Sequence, residues 1–512
     1  MAKISRRRFL STAACSVAAA RLSAQSRQEI QVALSIPSQA TGPSIPEDFV
    51  GLSYEVQQLT NPSFFSAQNS GLIGAFKQLA PHGVLRLGGN TGEFAWWKPS
   101  ADSPEPAHPP TREVVGEPKA LYYPVTPEAI RNLGEFLEAT GWTCIYGLNM
   151  GTNTPGRAAD EAAFAAATLG ARLQYFQIGN EPDLFDRHLR DAKSWSAKAY
   201  LDEWLVLARA IQARVPSARF GLPDAASNVS WLEQVAGMWA AIPDPPRLAA
   251  LSHHYYFGGP ATNPDVNIQN LLAPAAMVKV QQIADEATSA AAKLHLRVRM
   301  TEGNTCYRGG KPGVSDVFAA ALWAADYALL LALNNYTGIN LHGGTGMSVA
   351  NGLGGFLPGD VMLAAQGATP AQIAARPHPF YTPIATFGTE YVLEPVAYGL
   401  KFAGTLAGGT IVDGGFTQKL QAAGINASAY AARLQNGTTV LAILNKDSGN
   451  SLTLRLDFGA GRSDWVDTKV LQGLGLEGRQ VPNAPSPIPL RLQDGKFQGH
   501  VPPASAVLYR VG

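Results

Sequence analysis

Between residues 48 and 345, short runs of β-branched and other apolar residues alternate with longer stretches of helical period. One such stretch, Pro127–Thr140, carries an apolar residue every three to four positions, with Thr126 placed to cap it. Eight strand–helix units in succession predict an α/β protein built as a parallel (β/α)8 TIM barrel. A doubly wound open sheet is the alternative, but no glycine-rich phosphate loop opens any helix. The predicted strands are Phe49–Tyr54, Val84–Leu87, Cys144–Leu148, Tyr175–Ile178, Arg219–Leu222, Leu251–His254, Arg297–Thr301 and Ile339–Leu341.

The chain has 512 residues, which is more than a barrel of about 250 residues requires. Beyond residue 386 the sequence changes to short strand-like runs separated by glycine and asparagine turns, which is typical of a small β-sandwich. We therefore predict a catalytic barrel over residues 46–385 and a C-terminal β-sandwich domain over residues 386–512. A strand from residues 28–45 is expected to join that sandwich.

A glycine-rich insert, residues 343–380, separates the last barrel strand from the sandwich. It contains one predicted short helix, which begins after Thr369-Pro370. A long insert at the catalytic face of a barrel can form a lid or a wall of the site, and a disordered segment is the alternative.

The first 24 residues have the features of an export signal. Arg6-Arg7-Arg8 provides a basic start, a stretch of small and apolar residues follows, and Leu22-Ser23-Ala24 offers a cleavage site. The run from Ser5 to Leu10 resembles the twin-arginine signal with which bacteria export folded proteins. We therefore expect a periplasmic or secreted protein, and a disordered basic tail is the alternative.

The charge of the remaining chain limits its partners. Removing residues 1–24 takes away five basic residues and no acidic one, so the formal net charge falls from +1 to −4. A slightly acidic protein without a basic cluster is not suited to bind nucleic acid. No apolar run approaches the ~20 residues that cross a bilayer. Cys144 and Cys306 are too few for a disulfide framework, and Cys144 is interpreted as an inert core thiol.

Polar and aromatic side chains follow the predicted strands, at the positions where a barrel carries its chemistry. The active site of such a barrel lies at the C-terminal ends of its strands. A purely structural scaffold would rarely place so many polar groups at equivalent ends. These residues are Glu55, Gly88-Gly89-Asn90, Asn149, Asn180-Glu181, Pro223-Asp224, Tyr255-Tyr256, Glu302 and His342.

Two of these residues, Glu181 and Glu302, fit the needs of glycoside hydrolysis. That reaction uses one carboxylic acid to protonate the leaving oxygen and a second carboxylate, and a separation of about 5–5.5 Å gives retention of configuration. Pro182 fixes the backbone after Glu181, and Asn180 offers an amide suited to a sugar hydroxyl. A neighbouring carboxylate is expected to raise the pKa of Glu181. A glutamate in a surface turn is the alternative interpretation of this motif.

Five motifs in order make the chain resemble glycoside hydrolase family 79, the heparanase and β-glucuronidase group of retaining barrel glycosidases. The motifs span residues 50 to 310. They are Leu85-Arg86-Leu87-Gly88-Gly89, Tyr146-Gly147-Leu148-Asn149, Ile178-Gly179-Asn180-Glu181-Pro182, His253-His254-Tyr255-Tyr256, and Glu302 with Tyr307 five residues on.

This resemblance implies roles for individual residues. Glu181 would be the acid/base, Glu302 the nucleophile, and Asn180 the contact to the hydroxyl beside the reacting carbon. Glu55 and Asn90 would line the same subsite. The resemblance further implies a carboxylate-binding group made by Tyr307, the main-chain N–H groups of Arg308 and Gly309, and Tyr381. Leu222 stands where some relatives carry a polar side chain, so their substrate contact at that strand end is not expected here.

Several residues have competing interpretations. Arg86 either keeps Glu302 ionised or forms a structural charge pair inside the barrel. His253 and His254 resemble a metal pair, but adjacent strand residues point to opposite faces, so we expect no metal and a role for His254 and Tyr256 in orienting Glu302. Trp96-Trp97 either stacks on a sugar or packs in the core, and His342 either lines the pocket or does not.

The resemblance and the charge together predict an exo-acting, retaining β-glucuronidase that releases terminal glucuronic acid from a carbohydrate substrate, with no cofactor. A heparan-sulfate-cleaving endo-enzyme would need basic clusters beside its cleft, and the sequence has none. The first alternative is a neutral-sugar glycosidase with the same two glutamates. The second is a non-catalytic carbohydrate-binding protein.

Overall fold

The computed structural model describes residues 28–114, 120–226, 228–345, 359–374, 378–460, 465–481 and 490–512. The predicted signal peptide and much of the 343–380 insert lie outside these residues. Within the described ranges, no helix combines the length and the apolar character that crossing a bilayer requires.

Eight parallel strands close into a barrel, which confirms the predicted fold class. The strands of this half of the chain are β1 (Glu29–Ser35), β2 (Val50–Glu55), β3 (Val84–Gly88), β4 (Ala95–Trp97), β5 (Tyr123–Val125), β6 (Thr143–Leu148), β7 (Leu173–Ile178), β8 (Phe220–Ala225), β9 (Leu248–Gly258), β10 (Val298–Cys306) and β11 (Gly338–Gly343). The order around the barrel is β2-β3-β6-β7-β8-β9-β10-β11, and β11 pairs with β2 to close it. Each predicted barrel strand overlaps one of these eight.

Helices cover the outside of the barrel. Thr126 caps the helix at Pro127 by accepting a hydrogen bond from the Ala129 N–H, and Gly141 ends that helix with φ 80°. The helices of this domain are α1 (Ser70–Leu79), α2 (Pro127–Thr140), α3 (Pro155–Leu169), α4 (Ala197–Arg214), α5 (Ser230–Trp239), α6 (Ile268–Leu272), α7 (Pro274–Ala292) and α8 (Phe318–Leu333). Helix α8 is buried at all positions except its last, because the barrel and the C-terminal domain cover it from two sides.

The C-terminal region adds two sheets to the barrel. One has six strands, which in spatial order are Gly409–Ile411, Ala427–Leu434, Thr439–Asn445, Ser505–Val511, Trp465–Gln472 and Leu490–Arg491, and the other has three, in the order β1, Ser451–Asp457 and Lys496–Val501. Strand β1 runs parallel to the strand Ser451–Asp457 with Glu29 opposite Ser451, so a strand that precedes the barrel in the sequence belongs to the C-terminal sheets. The remaining elements are α9 (Gly359–Ala365), α10 (Pro370–Ala374), β12 (Ile384–Phe387), β13 (Glu390–Leu393), α11 (Pro395–Ala403), β14 (Gly409–Ile411), α12 (Phe416–Ala422), β15 (Ala427–Leu434), β16 (Thr439–Asn445), β17 (Ser451–Asp457), β18 (Trp465–Gln472), β19 (Leu490–Arg491), β20 (Lys496–Val501) and β21 (Ser505–Val511).

A buried charge pair joins the two domains. Asp326 of α8 is fully buried and forms an ion pair with Lys446, which follows β16. Tyr430 and Ser428 of β15 donate further hydrogen bonds to the same carboxylate. The lone acidic residue of an otherwise apolar helix is therefore paired across the domain boundary, where an unpaired charge would be costly.

Candidate active site

The two glutamates singled out by the sequence meet at the C-terminal mouth of the barrel. Glu181 lies three residues after Ile178, the last residue of β7, and has φ 48°, in the left-handed region that few non-glycine residues adopt. Glu302 lies inside β10, which continues to Cys306, so the expectation that it follows the strand end is wrong. The pairing of β10 with β9 shifts in register between Met300 and Glu302. That irregularity lies where the side chain of Glu302 enters the mouth.

The separation of the two carboxyl groups is short. Glu181 and Glu302, together with His254, offer oxygen and nitrogen atoms that all lie within 4.8 Å of one another. An inverting glycosidase holds its carboxyl groups about 6.5–9.5 Å apart to admit a water molecule, whereas about 5–5.5 Å suits direct attack by one of them. The observed arrangement can therefore perform a double displacement at a sugar carbon.

Cationic neighbours keep Glu302 ionised. Arg86 Nη1 lies 2.7 Å from Oε2, Tyr256 donates its phenol to Oε1 at 3.0 Å, and His342 Nδ1 is 3.6 Å from Oε2. Burial by itself would raise the pKa of Glu302, but His342, His254 and Arg86 outweigh it and lower the pKa to about 2. The group is thus a carboxylate at neutral pH, as a nucleophile must be. Arg86 pairs with both Glu302 and Asp224. It therefore keeps Glu302 ionised and also forms a structural charge pair inside the barrel.

The environment of Glu181 has the opposite effect. Burial is the largest influence and raises the pKa of this carboxyl group, and the nearby charges of Glu302 and Asp183 raise it further, while His254 opposes them. The predicted cause of the raised pKa, a neighbouring carboxylate, therefore contributes less than burial does. His254 Nδ1 lies 2.9 Å from Glu181 Oε1. The expected contact of His254 to Glu302 is therefore wrong, and Tyr256 alone of that pair bonds Glu302.

Asn180, Asn90 and Glu55 form a connected row beside the two glutamates. Asn180 accepts hydrogen bonds from Arg86 and from the Gly89 N–H, and it donates to Asn90 Oδ1 at 3.0 Å. Glu55 accepts from the main chain and side chain of Thr91. Gly89 has φ 76°, which favours glycine, and a Cβ atom there would displace the Glu55 carboxylate. These predicted subsite residues thus lie together at the ends of β2, β3 and β7.

The residues expected to bind a carboxylate surround Tyr256. The Tyr307 ring is 6.3 Å from the Tyr256 ring and is 38% exposed, and the buried Tyr381 ring is 6.2 Å away on another side. Arg308 and Gly309 have φ of 60° and 87°, which produces a tight turn. The Phe380 N–H donates to the Gly309 carbonyl at 2.8 Å and so ties this turn to the segment that carries Tyr381. Tyr307 and Tyr381 thus both lie beside Tyr256, although 74 residues separate them in the chain.

The structure also decides between the interpretations of the remaining histidine, tryptophan and cysteine residues. His253 bonds the Tyr336 phenol at 2.9 Å and does not join the cluster, because it points to the other face of β9 from His254. Trp97 packs against Phe164 in the core. Both Cys144 and Cys306 are buried free thiols. His342 lies in the mouth, beside Glu302 and 3.7 Å from Glu55.

Two acidic residues of the site receive no role from the sequence motifs, although Asp224 is among the polar residues expected at the strand ends. Glu93, in the turn after β3, is buried and accepts hydrogen bonds from the N–H groups of Met150, Gly151 and Asn180. Burial raises its pKa to about 7. It thereby holds together the loops after β3, β6 and β7. The other acidic residue, Asp224 of β8, contacts Arg86 and has a pKa far below the usual range, because Arg86 and His254 outweigh the effect of burial. Neither role has a local signature, since both depend on contacts between different strands.

A closed (β/α)8 barrel with two close carboxyl groups at its C-terminal mouth, one ionised and one with a raised pKa, is the arrangement of barrel glycosidases that retain configuration. Two curated proteins named β-glucuronidase are similar in sequence. The protein from Aspergillus niger is 28% identical over 351 residues, covering 63% of this chain and 62% of its own, and that from Neurospora crassa is 26% identical over 362 residues, covering 62% and 61%. The chain thus spans about three-fifths of the length of these relatives. They confirm the predicted resemblance to β-glucuronidases.

Solved structures with the same fold cover nearly the whole chain. A 4-O-α-L-rhamnosyl-β-D-glucuronidase from Fusarium oxysporum has a TM-score of 0.67 at 18% identity, covering 94% of this chain and 100% of its own. An arabinofuranosidase of family GH51 from Xanthomonas axonopodis has a TM-score of 0.61 at 14% identity with the same coverage. These similarities establish the barrel and its added domain. No protein-family model matches the chain.

Proposed function

We propose that this protein is a retaining exo-β-glucuronidase that releases terminal β-linked glucuronic acid through a covalent glycosyl-enzyme intermediate. The observation that carries the proposal is the pair of close carboxyl groups, in which His342, His254 and Arg86 keep Glu302 ionised and burial raises the pKa of Glu181. The names of the two curated relatives support the choice of sugar.

The first step of the proposed reaction forms an ester. A carboxylate oxygen of Glu302 bonds to the anomeric carbon while the bond from that carbon to the leaving oxygen breaks. Glu181 gives its proton to the leaving oxygen, so the alcohol departs neutral. Arg86 and Tyr256 hold the Glu302 carboxylate on its two oxygens and fix the direction of attack.

The second step releases the sugar. Glu181, now ionised, takes a proton from a water molecule whose oxygen attacks the same carbon, and the bond to Glu302 breaks. Two inversions at one carbon retain the β configuration. Asn180 is suited to bind the neighbouring sugar hydroxyl, and its own contacts to Arg86, Gly89 and Asn90 fix its amide in one orientation.

The carboxylate of the sugar is proposed to lie against the turn that contains Tyr307. Successive N–H groups in a left-handed turn form a concave site for anions, and Arg308 and Gly309 have that backbone conformation. The phenols of Tyr307 and Tyr381 flank Tyr256 and supply neutral donors. The acidic net charge of the chain without residues 1–24 favours a small or singly charged glucuronide over a sulfated polymer.

The preference for a glucuronide over a glucoside tests this function. We expect kcat/KM for an aryl β-glucuronide to exceed that for the matching aryl β-glucoside by about 100-fold or more, which corresponds to about 3 kcal/mol. Tyr307→Phe is expected to lower kcat/KM for the glucuronide by about 10-fold and to leave the glucoside unchanged, because only the glucuronide loses a hydrogen bond to a charged group. Steady-state kinetics of both substrates give these values.

Tyr398→Phe serves as the matched control, since this partly buried tyrosine lies in α11, away from the mouth. Equal rates for the two glycosides, or a faster glucoside, would point to a neutral-sugar glycosidase with the same two glutamates. Binding of carbohydrate without turnover of any glycoside would favour a carbohydrate-binding protein.

We also propose that residues 1–24 direct export and are then removed. The proposal is supported by Arg6-Arg7-Arg8, the small-residue stretch and the Leu22-Ser23-Ala24 site. N-terminal sequencing of protein recovered from the periplasm is expected to begin at Gln25. Replacing Arg6 and Arg7 by lysine is expected to leave the protein in the cytoplasm, and unchanged export of that variant would contradict the twin-arginine assignment.

A further inference from the structure

We propose that Asp224 is a positioning residue for both catalytic groups: it orients Glu181 through His254 and Glu302 through Arg86. This inference rests on the proposed function, and it adds a residue to which the sequence motifs assign no role. Asp224 lies in β8, between the strands that carry the two glutamates, and it is 1% exposed.

The side chain of Asp224 contacts one partner of each catalytic glutamate. Its Oδ2 atom forms an ion pair with Arg86 Nη2, and its Oδ1 atom lies 3.1 Å from His254 Nε2. The other end of each partner reaches a catalytic carboxyl group: Arg86 Nη1 is 2.7 Å from Glu302, and His254 Nδ1 is 2.9 Å from Glu181. A single carboxylate thus connects the nucleophile and the acid/base.

The main chain of Asp224 holds Glu181 directly. The Glu181 N–H donates to the Asp224 carbonyl oxygen at 3.1 Å. Asp224 and Glu181 have φ of 60° and 48°, so both occupy the left-handed region. Such a conformation costs non-glycine residues free energy and persists only where surrounding contacts fix it. The hydrogen bond that joins these two residues, with the side-chain contacts of Asp224, provides that constraint.

The side chains that hydrogen-bond to the Asp224 carboxylate all donate, so the carboxylate must accept at each contact. Gln177 Nε2 donates to Oδ1 at 2.6 Å, and Thr301, the residue before Glu302, donates its hydroxyl to the same oxygen. Arg86 pairs with Oδ2, and the His254 ring approaches Oδ1 to 3.1 Å as a charge contact without hydrogen-bond geometry. An ionised aspartate accepts only, whereas an asparagine of the same size would direct an NH2 group at one of these donors. Asparagine therefore cannot keep all four contacts.

Asp224 supplies one of the two negative charges that face the Arg86 and His254 side chains. Burial would lower the pKa of His254, but the charges of Asp224 and Glu302 raise it to about 10, so the ring is an imidazolium at neutral pH. The cations Arg86 and His254 then face the anions Asp224 and Glu302. Without Asp224 the largest influence that raises the pKa of His254 is lost, and burial favours the neutral ring. Further titratable groups near Asp224 are Tyr175 of β7, Tyr200 of α4 and His253 of β9.

The test compares Asp224→Asn with the wild-type protein in two measurements. We expect kcat/KM to fall by about 10³-fold for aryl β-glucuronides with good and with poor leaving groups alike, because both the nucleophile and the acid lose their orientation. With 13C-labelled histidine, the His254 resonance is expected to report imidazolium at pH 8 in the wild type and neutral imidazole at pH 7 in Asp224→Asn. The His254→Gln spectrum assigns the resonance.

Glu161→Gln is the matched control, since this buried carboxyl group of α3 contacts Tyr146 and neither catalytic group. Thr301→Val is a second variant that keeps the charge and removes one contact; it should lose about 10-fold in kcat/KM and keep the imidazolium. Asp224→Asn with wild-type kcat/KM, a loss no larger than that of Glu161→Gln, or an unchanged His254 resonance would overturn the proposal. The histidine spectrum needs no substrate, so it still decides the contact if no glucuronide is cleaved and the proposed function fails.

Discussion

Glu302→Gln is expected to lower kcat/KM for an aryl β-glucuronide by about 10⁵-fold, which corresponds to about 7 kcal/mol of transition-state stabilisation. An amide cannot form the glycosyl ester, and its NH2 group would face either Arg86 or the Tyr256 phenol, both of which donate to the wild-type carboxylate. Because the side chain keeps its size, substrate binding should survive. Steady-state kinetics measure the loss, and mass spectrometry with a 2-fluoro-glucuronide should find a covalent adduct on Glu302 in the wild-type protein only.

The control for this substitution is Glu161→Gln, a buried carboxyl group outside the mouth, which should keep wild-type kcat/KM. If Glu302→Gln retained more than about 1% of the activity, or formed the covalent adduct, the nucleophile would have to be another residue. Proton NMR of the first product formed should show the β anomer, because both steps invert the same carbon. The α anomer would contradict the double displacement.

Glu181→Ala is expected to have an effect that depends on the leaving group. A poor leaving group needs a proton in the first step, so kcat/KM for an alkyl or simple phenyl glucuronide should fall by about 10³–10⁴-fold. Dinitrophenolate leaves without that proton, so the first step with a dinitrophenyl glucuronide should be nearly unaffected. The glycosyl-enzyme intermediate should then accumulate. Azide, which needs no general base, should then restore turnover and give a β-glucuronosyl azide.

The pH profile of Glu181→Ala provides an independent check. Glu181 must be protonated in the first step, so wild-type kcat/KM should decline as the pH rises through its raised pKa. Glu302 must be ionised, so the acidic limb should appear only as the pH falls towards about 2 or the protein unfolds. The alkaline limb should vanish in Glu181→Ala and persist in Glu138→Ala, an exposed carboxyl group of α2. A retained limb with no azide product would remove Glu181 from the acid/base role.

The barrel could be predicted because its strands are short, mainly apolar runs bounded by turns. Strand β3 is buried on both faces, so it is apolar apart from Arg86, whose charge is paired inside the barrel. The strand ends were less certain. Strands β9 and β10 continue to Gly258 and Cys306, four or five residues beyond the apolar runs that predicted them. Pairing with neighbouring strands extends them past the predicted ends, through Tyr256 in β9 and Glu302 in β10.

The sequence by itself determined the eight-strand barrel and the pair Glu181 and Glu302, because strand order and the polar residue at each strand end are local features of the chain. Only the tertiary structure decided which side chain serves which glutamate. His254 lies beside Glu181, and Arg86 lies beside both Glu302 and Asp224. The physical reason is that ion pairs and hydrogen bonds depend on distances of about 3 Å between atoms, and these distances are set by the tilt and register of strands far apart in sequence.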